Sequence, residues 1–308
     1  MPARAIRRGV GYIARMNEGV YRVLEALADG APRARSELIR RSGEPHSVLA
    51  DLERRKPGWF RARGETLQLS PKGSEAWRRE RAARTPQLDE AALVERLEAI
   101  AARRPPVRRD LDQVFATGAT VARRALRLLR AGETQRGLLL LGDDDLTSVA
   151  LRLLLDAAGS DRKVCVAEID PALVDFLREH GVEALEHDLR RPLPKTLRRR
   201  FGCVFTDPPY APAGFKLFVG RAVTALKDDG RLYVCFGQSR RSSERGLAKQ
   251  RLLSQLGVFV EEVVPDFNEY EGAESIGARS ALWVTRRTPQ TRPLPFDEEQ
   301  PLYTRRPS

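Results

Sequence analysis

A chain of 308 residues carrying a formal net charge of +12 exceeds one ordinary domain, so two domains are expected. No run of 18 or more apolar residues occurs, which argues against a membrane-spanning helix, and the start, Met1 to Arg8, is basic without the apolar stretch of a secretory signal, so the cytoplasm is the expected location. Three scattered cysteines (Cys165, Cys203, Cys235) and three histidines (His46, His180, His187) lack metal-ligand spacing, so no metal is expected, and the odd cysteine count argues against a disulfide framework.

The positive charge is uneven: residues 1–109 hold 24 Lys+Arg against 14 Asp+Glu, and residues 110–308 hold 30 against 28. Residues 16–80 read as a winged helix. Glu18–Ala28 has helical apolar spacing closed by Gly30, Ser36–Arg41 and Pro45–Arg55 are further helices, and Trp59-Phe60 with Leu67–Leu69 form a hairpin across Gly64. The third helix offers few base-reading side chains, which favours docking, including a possible homodimer, over sequence-specific DNA binding. Residues 88–105 form an amphipathic helix ended by Pro105-Pro106, and Arg103–Arg109 reads as a charged linker. The expected division is therefore 1–109, a catalytic domain at 110–288, and a loosely attached Pro-rich tail at 289–308.

In the second part, Leu111–Arg130 reads as a helix across the domain mouth. Seven short apolar runs follow, at 137–141, 163–167, 182–185, 203–206, 231–236, 258–264 and 281–285. Helices at 146–158, 171–180, 214–226 and 243–256 separate the first six. The pattern is that of an α/β fold with a Rossmann-like, methyltransferase-type seven-stranded sheet.

Ligands of such sheets bind beyond the carboxyl ends of the strands. Glu168 and Asp170 end the second strand and are placed for ribose hydroxyls, although Asp170 before Pro171 also suits a helix cap. Asp188 follows the third strand and is placed for the adenine amino group. The first loop, Gly142-Asp143-Asp144-Asp145, holds three carboxylates where phosphate-binding loops have glycines. It would repel phosphate and the carboxylate of S-adenosylmethionine, and attract an ammonium at roughly 1.5–3 kcal/mol per partly desolvated contact. One of the three is expected to serve only as a cap, Asp145 or Thr147 being placed to cap the next helix, and Mg2+ binding is the alternative.

The fourth strand ends in Asp207-Pro208-Pro209-Tyr210. The prolines stiffen the turn and remove two N–H donors, leaving carbonyls for an amine. Asp207 is the candidate to hold a nucleophilic nitrogen and take its proton, and Tyr210 offers an aromatic face to a cation. Residues 265–277 read as a 13-residue lid whose Asp266, Phe267, Glu269, Tyr270, Glu271 and Glu274 suit a flexible polycation.

The combination GDDDLTS, AEID, HDLRRPLP, FTDPPY and FNEYEGAESIG, running from about Asp110 to Thr285, resembles the branched-chain polyamine synthases, the N(4)-bis(aminopropyl)spermidine synthases. The resemblance implies transfer of aminopropyl groups from decarboxylated S-adenosylmethionine, a co-substrate rather than a prosthetic group, to the secondary amine of spermidine, releasing methylthioadenosine. It implies that Asp143 to Asp145 and Asp207 matter most, with Glu168 and Asp188 on the nucleoside. Catalytic roles fall to Asp207, Asp144 and Tyr210, and cofactor contacts to Gly142, the triplet, Glu168, Asp170, Asp188 and Pro208. Ala211 departs from the family pattern, where Thr is expected, and bears on substrate positioning.

Two other functions compete. A base amino-methyltransferase shares the D/N-P-P-Y turn, and the basic N-terminal part favours it, but the acidic mouth would repel a phosphate backbone, so nucleic acid is not the expected substrate. A polyamine-sensing winged-helix regulator without catalysis is disfavoured by the full set of acidic residues.

Overall fold

The computed structural model describes residues 16–237, 243–272, 278–296 and Leu302. The chain divides into two compact units, residues 1–83 and 84–308.

The first unit contains α1 (Glu18–Glu25), β1 (Arg33–Ala34), α2 (Arg35–Ser42), α3 (His46–Arg55), β2 (Phe60–Arg63), β3 (Thr66–Leu69) and most of α4 (Pro71–Arg84). Asn17 starts α1 by accepting the Val20 amide at 2.8 Å, satisfying an N–H that has no partner within the helix. The strands form an antiparallel sheet in the order β1-β3-β2, over a core that includes Leu24, Leu27, Leu38, Leu49 and Leu67. Three helices followed by a hairpin is the order expected of a winged helix. Two elements escaped the sequence reading. β1 is too short to show a period, and α4 (PKGSEAWRRERAAR) is a charged helix without an apolar stripe.

The second unit contains α5 (Glu90–Ala101), α6 (Gly118–Arg130), β4 (Leu138–Leu141), α7 (Thr147–Ala157), β5 (Val164–Glu168), α8 (Pro171–Glu179) and β6 (Glu183–Glu186). It continues with β7 (Phe201–Thr206), α9 (Pro212–Ala225), β8 (Leu226–Phe236), α10 (Ser243–Gln255), β9 (Val258–Glu269) and β10 (Arg279–Arg287). The sheet has the order β6-β5-β4-β7-β8-β10-β9, with β10 antiparallel to both neighbours and the β6 to β8 pairings parallel. This is the methyltransferase-type sheet expected from the strand and helix alternation. β4 shows why its sequence is simply Leu-Leu-Leu-Leu: Leu138 and Leu140 enter the core on one face, and Leu139 and Leu141 enter the core on the other. Strand order reverses at β4, between β5 and β7, which opens a crevice at the carboxyl ends of these three strands.

Four expectations change. Leu93 and Leu97 of α5 belong to the second unit's core, so the units divide at 83/84 and not at 109. α6 starts at Gly118, where Thr117 caps it by accepting the Thr120 amide at 3.2 Å, and not at Leu111. The first part of the proposed lid is strand: β9 runs to Glu269, Tyr270 bridges to Ala116, and residues 273–277 lie outside the described residues. Glu274 lies outside the described residues. The tail after Thr288 is attached through Thr291, a buried residue whose hydroxyl donates to the Gly257 carbonyl at 2.8 Å. Its residues 297–301 and 303–308 lie outside the described residues.

Candidate active site

The crevice at the β4–β5–β7 ends is a cleft with about 80 Å3 of internal free space below an open mouth. Its walls come from the loop after β4 (Gly142, Asp144, Asp145), the end of β5 (Glu168, Ile169) and the turn after β7 (Asp207 to Tyr210). Leu111–Val114, Phe218 of α9 and Tyr270 complete them. Gly142 has φ +70, which favours glycine, although a Cβ there would make only ordinary contacts with Phe218 at 3.4 Å and Glu168 at 3.9 Å.

The three aspartates after Gly142 have three different fates. Asp143 turns away from the crevice and accepts the Ser148 amide at 3.0 Å at the start of α7. Burial pushes its carboxyl up to about 8, opposed by the Ser148 hydrogen bonding. Asp145 accepts the Ala116 amide at 2.6 Å and pairs with Arg124 at 2.5 Å. Asp144 alone keeps its carboxylate for the crevice. Burial and then the charges of Asp145 and Glu168 hold it well above the ordinary carboxylate range. A cation entering beside it would relieve that cost. The carboxylate that serves the start of α7 is thus Asp143, in place of the expected Asp145 or Thr147, and of the three only Asp144 is left facing the crevice without a side-chain partner among the described residues.

Arg124 organises the rest. Its side chain is wholly buried, and it bonds Asp145, Asp207 (2.6 Å), the Asn268 side-chain oxygen (2.7 Å) and the Tyr270 hydroxyl (3.2 Å). The Tyr270 hydroxyl in turn donates to Asp207 at 2.7 Å and lies 2.7 Å from the Ser280 hydroxyl. Asp207 is thus fixed by two neighbours, while burial raises its pKa and Arg124 opposes the rise. A carboxylate held in this way is both oriented and more basic than one in water. Glu168 is fixed differently, by backbone: it accepts the amides of Ile169 (2.8 Å), Asp170 (3.0 Å) and Asp143 (3.1 Å). Burial raises its pKa, against those three hydrogen bonds.

Several expected contacts are not in the crevice. Asp170 caps α8 by accepting the Ala172 amide at 3.0 Å, the plainer of its two expected uses. Asp188 pairs with Arg190 at 2.6 Å and does not line the crevice, because the turn after β6 folds that carboxylate onto its own loop. Phe267 is core, and Glu269 is exposed on the end of β9, so among the described residues of this segment only Tyr270 reaches the crevice. Gly142, Asp144, Asp145, Glu168, Asp207, Pro208, Tyr210 and Tyr270 are brought together.

Arg124 was missed, although its signal is in the sequence. It lies three residues after Val121 and four before Leu128, on the buried stripe of α6 where an apolar residue belongs. Asn268 and Ser280, facing each other across the β9–β10 pair at 2.9 Å, carry no such signal.

The chain resembles known proteins over most of this unit. The profile of the branched-chain polyamine synthase A C-terminal domain matches residues 92–295. The N(4)-bis(aminopropyl)spermidine synthase of Thermus thermophilus is 36% identical over 68% of this chain and 60% of its own length. That of Methanocaldococcus jannaschii is 35% identical over 58% of this chain and 53% of its own. The chain therefore spans little more than half the length of the curated relatives it matches. In three dimensions it is similar, with a TM-score of 0.61 and 28% identity over 93% of this chain and 91% of the other, to the Thermus thermophilus branched-chain polyamine synthase in complex with N4-aminopropylspermidine and 5'-methylthioadenosine. Because the profile match takes in the acidic loop, the Asp-Pro-Pro-Tyr turn and the whole sheet, the chain belongs to the branched-chain polyamine synthase family.

Proposed function

We propose that the chain is an aminopropyltransferase that moves aminopropyl groups from decarboxylated S-adenosylmethionine to the secondary amine of spermidine. The products are N4-aminopropylspermidine, then N4-bis(aminopropyl)spermidine, each with one methylthioadenosine. The observation that carries this reading is the charge balance of the crevice: Asp144, Asp145, Glu168 and Asp207 line it, and Arg124 is bonded to only two of them. A ligand bringing a sulfonium and an ammonium, with no acid group, offsets that deficit, whereas an added carboxylate would face Asp144. Relatives named for the same reaction support the reading.

In this mechanism Glu168 accepts from the ribose hydroxyls and Asp144 from the propylammonium. Asp207 orients the neutral acceptor nitrogen. Its lone pair attacks the propyl carbon bonded to sulfur, the C–S bond breaks and its electron pair leaves with neutral methylthioadenosine, and Asp207 then takes the N–H proton of the ammonium just formed. The first transfer turns a secondary amine into a tertiary one with loss of a proton. The second makes a quaternary ammonium and has no proton to remove. The Asp-Pro-Pro turn contributes carbonyls and rigidity.

No helix among the described residues is long and apolar enough to cross a membrane. A cytoplasmic site of action fits three unpaired cysteines. The acidic crevice argues against a nucleic-acid substrate, and a homodimer remains the natural use of the first unit.

The test is incubation with decarboxylated S-adenosylmethionine and spermidine, read by mass spectrometry. Methylthioadenosine and mono- or di-aminopropylated spermidine are expected. Absence of both, with methyl transfer to nucleic acid from S-adenosylmethionine, overturns the reading.

A further inference from the structure

α10 buries one stripe, Gly246, Lys249 and Leu253, with a lysine in its middle position where a leucine would pack. Lys249 is only 8% exposed, yet among the described residues its ammonium meets no carboxylate and makes no hydrogen bond. Its neighbours are rings. Nζ lies 5.0 Å from the centre of Tyr210 and 5.3 Å from those of Phe215 and Phe236. Tyr210 is also pressed against Gly237, where a Cβ would come within 3.0 Å of its hydroxyl. The ring expected to receive a substrate cation therefore already has one from the chain itself.

A buried lysine without an ion pair is costly, and such residues concentrate where charge is used. Burial brings Lys249 down to about 8, against the attraction of Asp207 across the turn after β7 and with the repulsion of Arg245 on its own helix. Tyr210, the other titratable group beside it, is pushed by burial far above neutrality and stays uncharged. Lys249 thus acts on the same space as Asp207 with the opposite sign.

We propose that Lys249 is a positioning residue for the acceptor: a resident cation behind Tyr210 that disfavours an ammonium beside Asp207 and admits the acceptor nitrogen in its neutral, nucleophilic form. Asp207, although Arg124 pairs with one of its oxygens at 2.6 Å, keeps a carboxylate that would bind an ammonium and hold it unreactive, because a nearby negative charge stabilises the proton on nitrogen. A positive charge on the other side of the ring offsets that effect while leaving Asp207 free to take the proton. The distant ammonium arms of a polyamine remain available to the other carboxylates. This inference rests on the aminopropyl transfer proposed above.

The test compares wild type with K249M, which keeps the length of the side chain without its charge, and with K249R, which keeps the charge. The measurement is kcat/KM for spermidine between pH 6 and 10. For K249M the rising limb of the profile is expected to move up by about one pH unit, a loss of roughly tenfold at neutral pH that closes on the alkaline plateau. K249R should retain the wild-type limb. A K249M profile of wild-type shape, whether at full height or uniformly lowered, overturns the inference. So does loss of methylthioadenosine binding by K249M in calorimetry, which would assign the lysine to packing. Wild-type protein that forms no methylthioadenosine sinks the aminopropyl reading and this inference with it. A wild type that turns over beside an unshifted K249M sinks only the lysine.

Discussion

The two ends of the large sheet bury acidic groups in opposite ways. At the end where the parallel strands begin, Glu133 is wholly buried and faces two guanidiniums: Arg231 at 3.1 Å and the Tyr233 hydroxyl at 3.0 Å bond its Oε1, and Arg136 approaches Oε2 at 3.5 Å. Arg231 passes the pairing on to Glu261 at 2.8 Å. At the end where the strands finish, Arg124 answers Asp145 and Asp207, while Asp144 and Glu168 meet no side-chain cation at hydrogen-bonding distance among the described residues. Arg104 comes near but donates to the Asp144 carbonyl, not its carboxylate. One fold therefore meets the same electrostatic problem with two cations where only stability is at stake. It leaves the problem half-solved where a charged ligand can supply the remainder.

The hardest blow to this contrast falls on Asp207. D207N should lower kcat by roughly 10²–10⁴-fold by removing the proton acceptor, with methylthioadenosine binding in calorimetry little changed. Near-normal turnover would take the role away from this residue. R124M should cost about 3–5 kcal/mol in denaturant unfolding, because Asp145 and Asp207 are left buried and unanswered. An unfolding midpoint close to wild type would mean that the pair does not need its guanidinium. D144N should weaken the preference for decarboxylated over carboxylated S-adenosylmethionine by about tenfold, measured as the ratio of the two Kd values. An unchanged ratio would separate the charge deficit from selectivity.

The smallest effect concerns pH. Asp143 has a folded pKa of about 8 against an ordinary 3.8. Between those values the folded chain holds a proton that the unfolded chain has released, so this group's contribution to stability falls as pH rises through the window. D143N has no such proton, and its Tm should decline less steeply than that of wild type across the same range. Parallel curves would show that Asp143 is ionised throughout.

The sheet was legible because parallel strands buried on both faces must be apolar throughout, and Leu138–Leu141 could hardly be anything else. The carboxylates were legible as a set, since side chains placed after consecutive strands converge at the switch point. Their division of labour was not. That Asp143 serves a helix, Asp145 an arginine and only Asp144 the crevice depends on backbone direction over three adjacent residues, ending at Leu146 with φ 66, which composition does not encode. Arg124 and Lys249 share one overlooked mark, a basic residue on the buried stripe of a helix. The first part of the acidic stretch, residues 265–269, was misjudged for the opposite reason. Its charged side chains suggested a loop, but an edge strand with an exposed face tolerates them, and pairing with β10 carries the backbone to Glu269.

Arg124 gathers groups from three other stretches of chain, the farthest 146 residues away. Without α6 seated on the sheet, Asp145 and Asp207 would lose their shared guanidinium, so the arrangement of this pocket depends on the packing of a helix that precedes the first strand of that sheet.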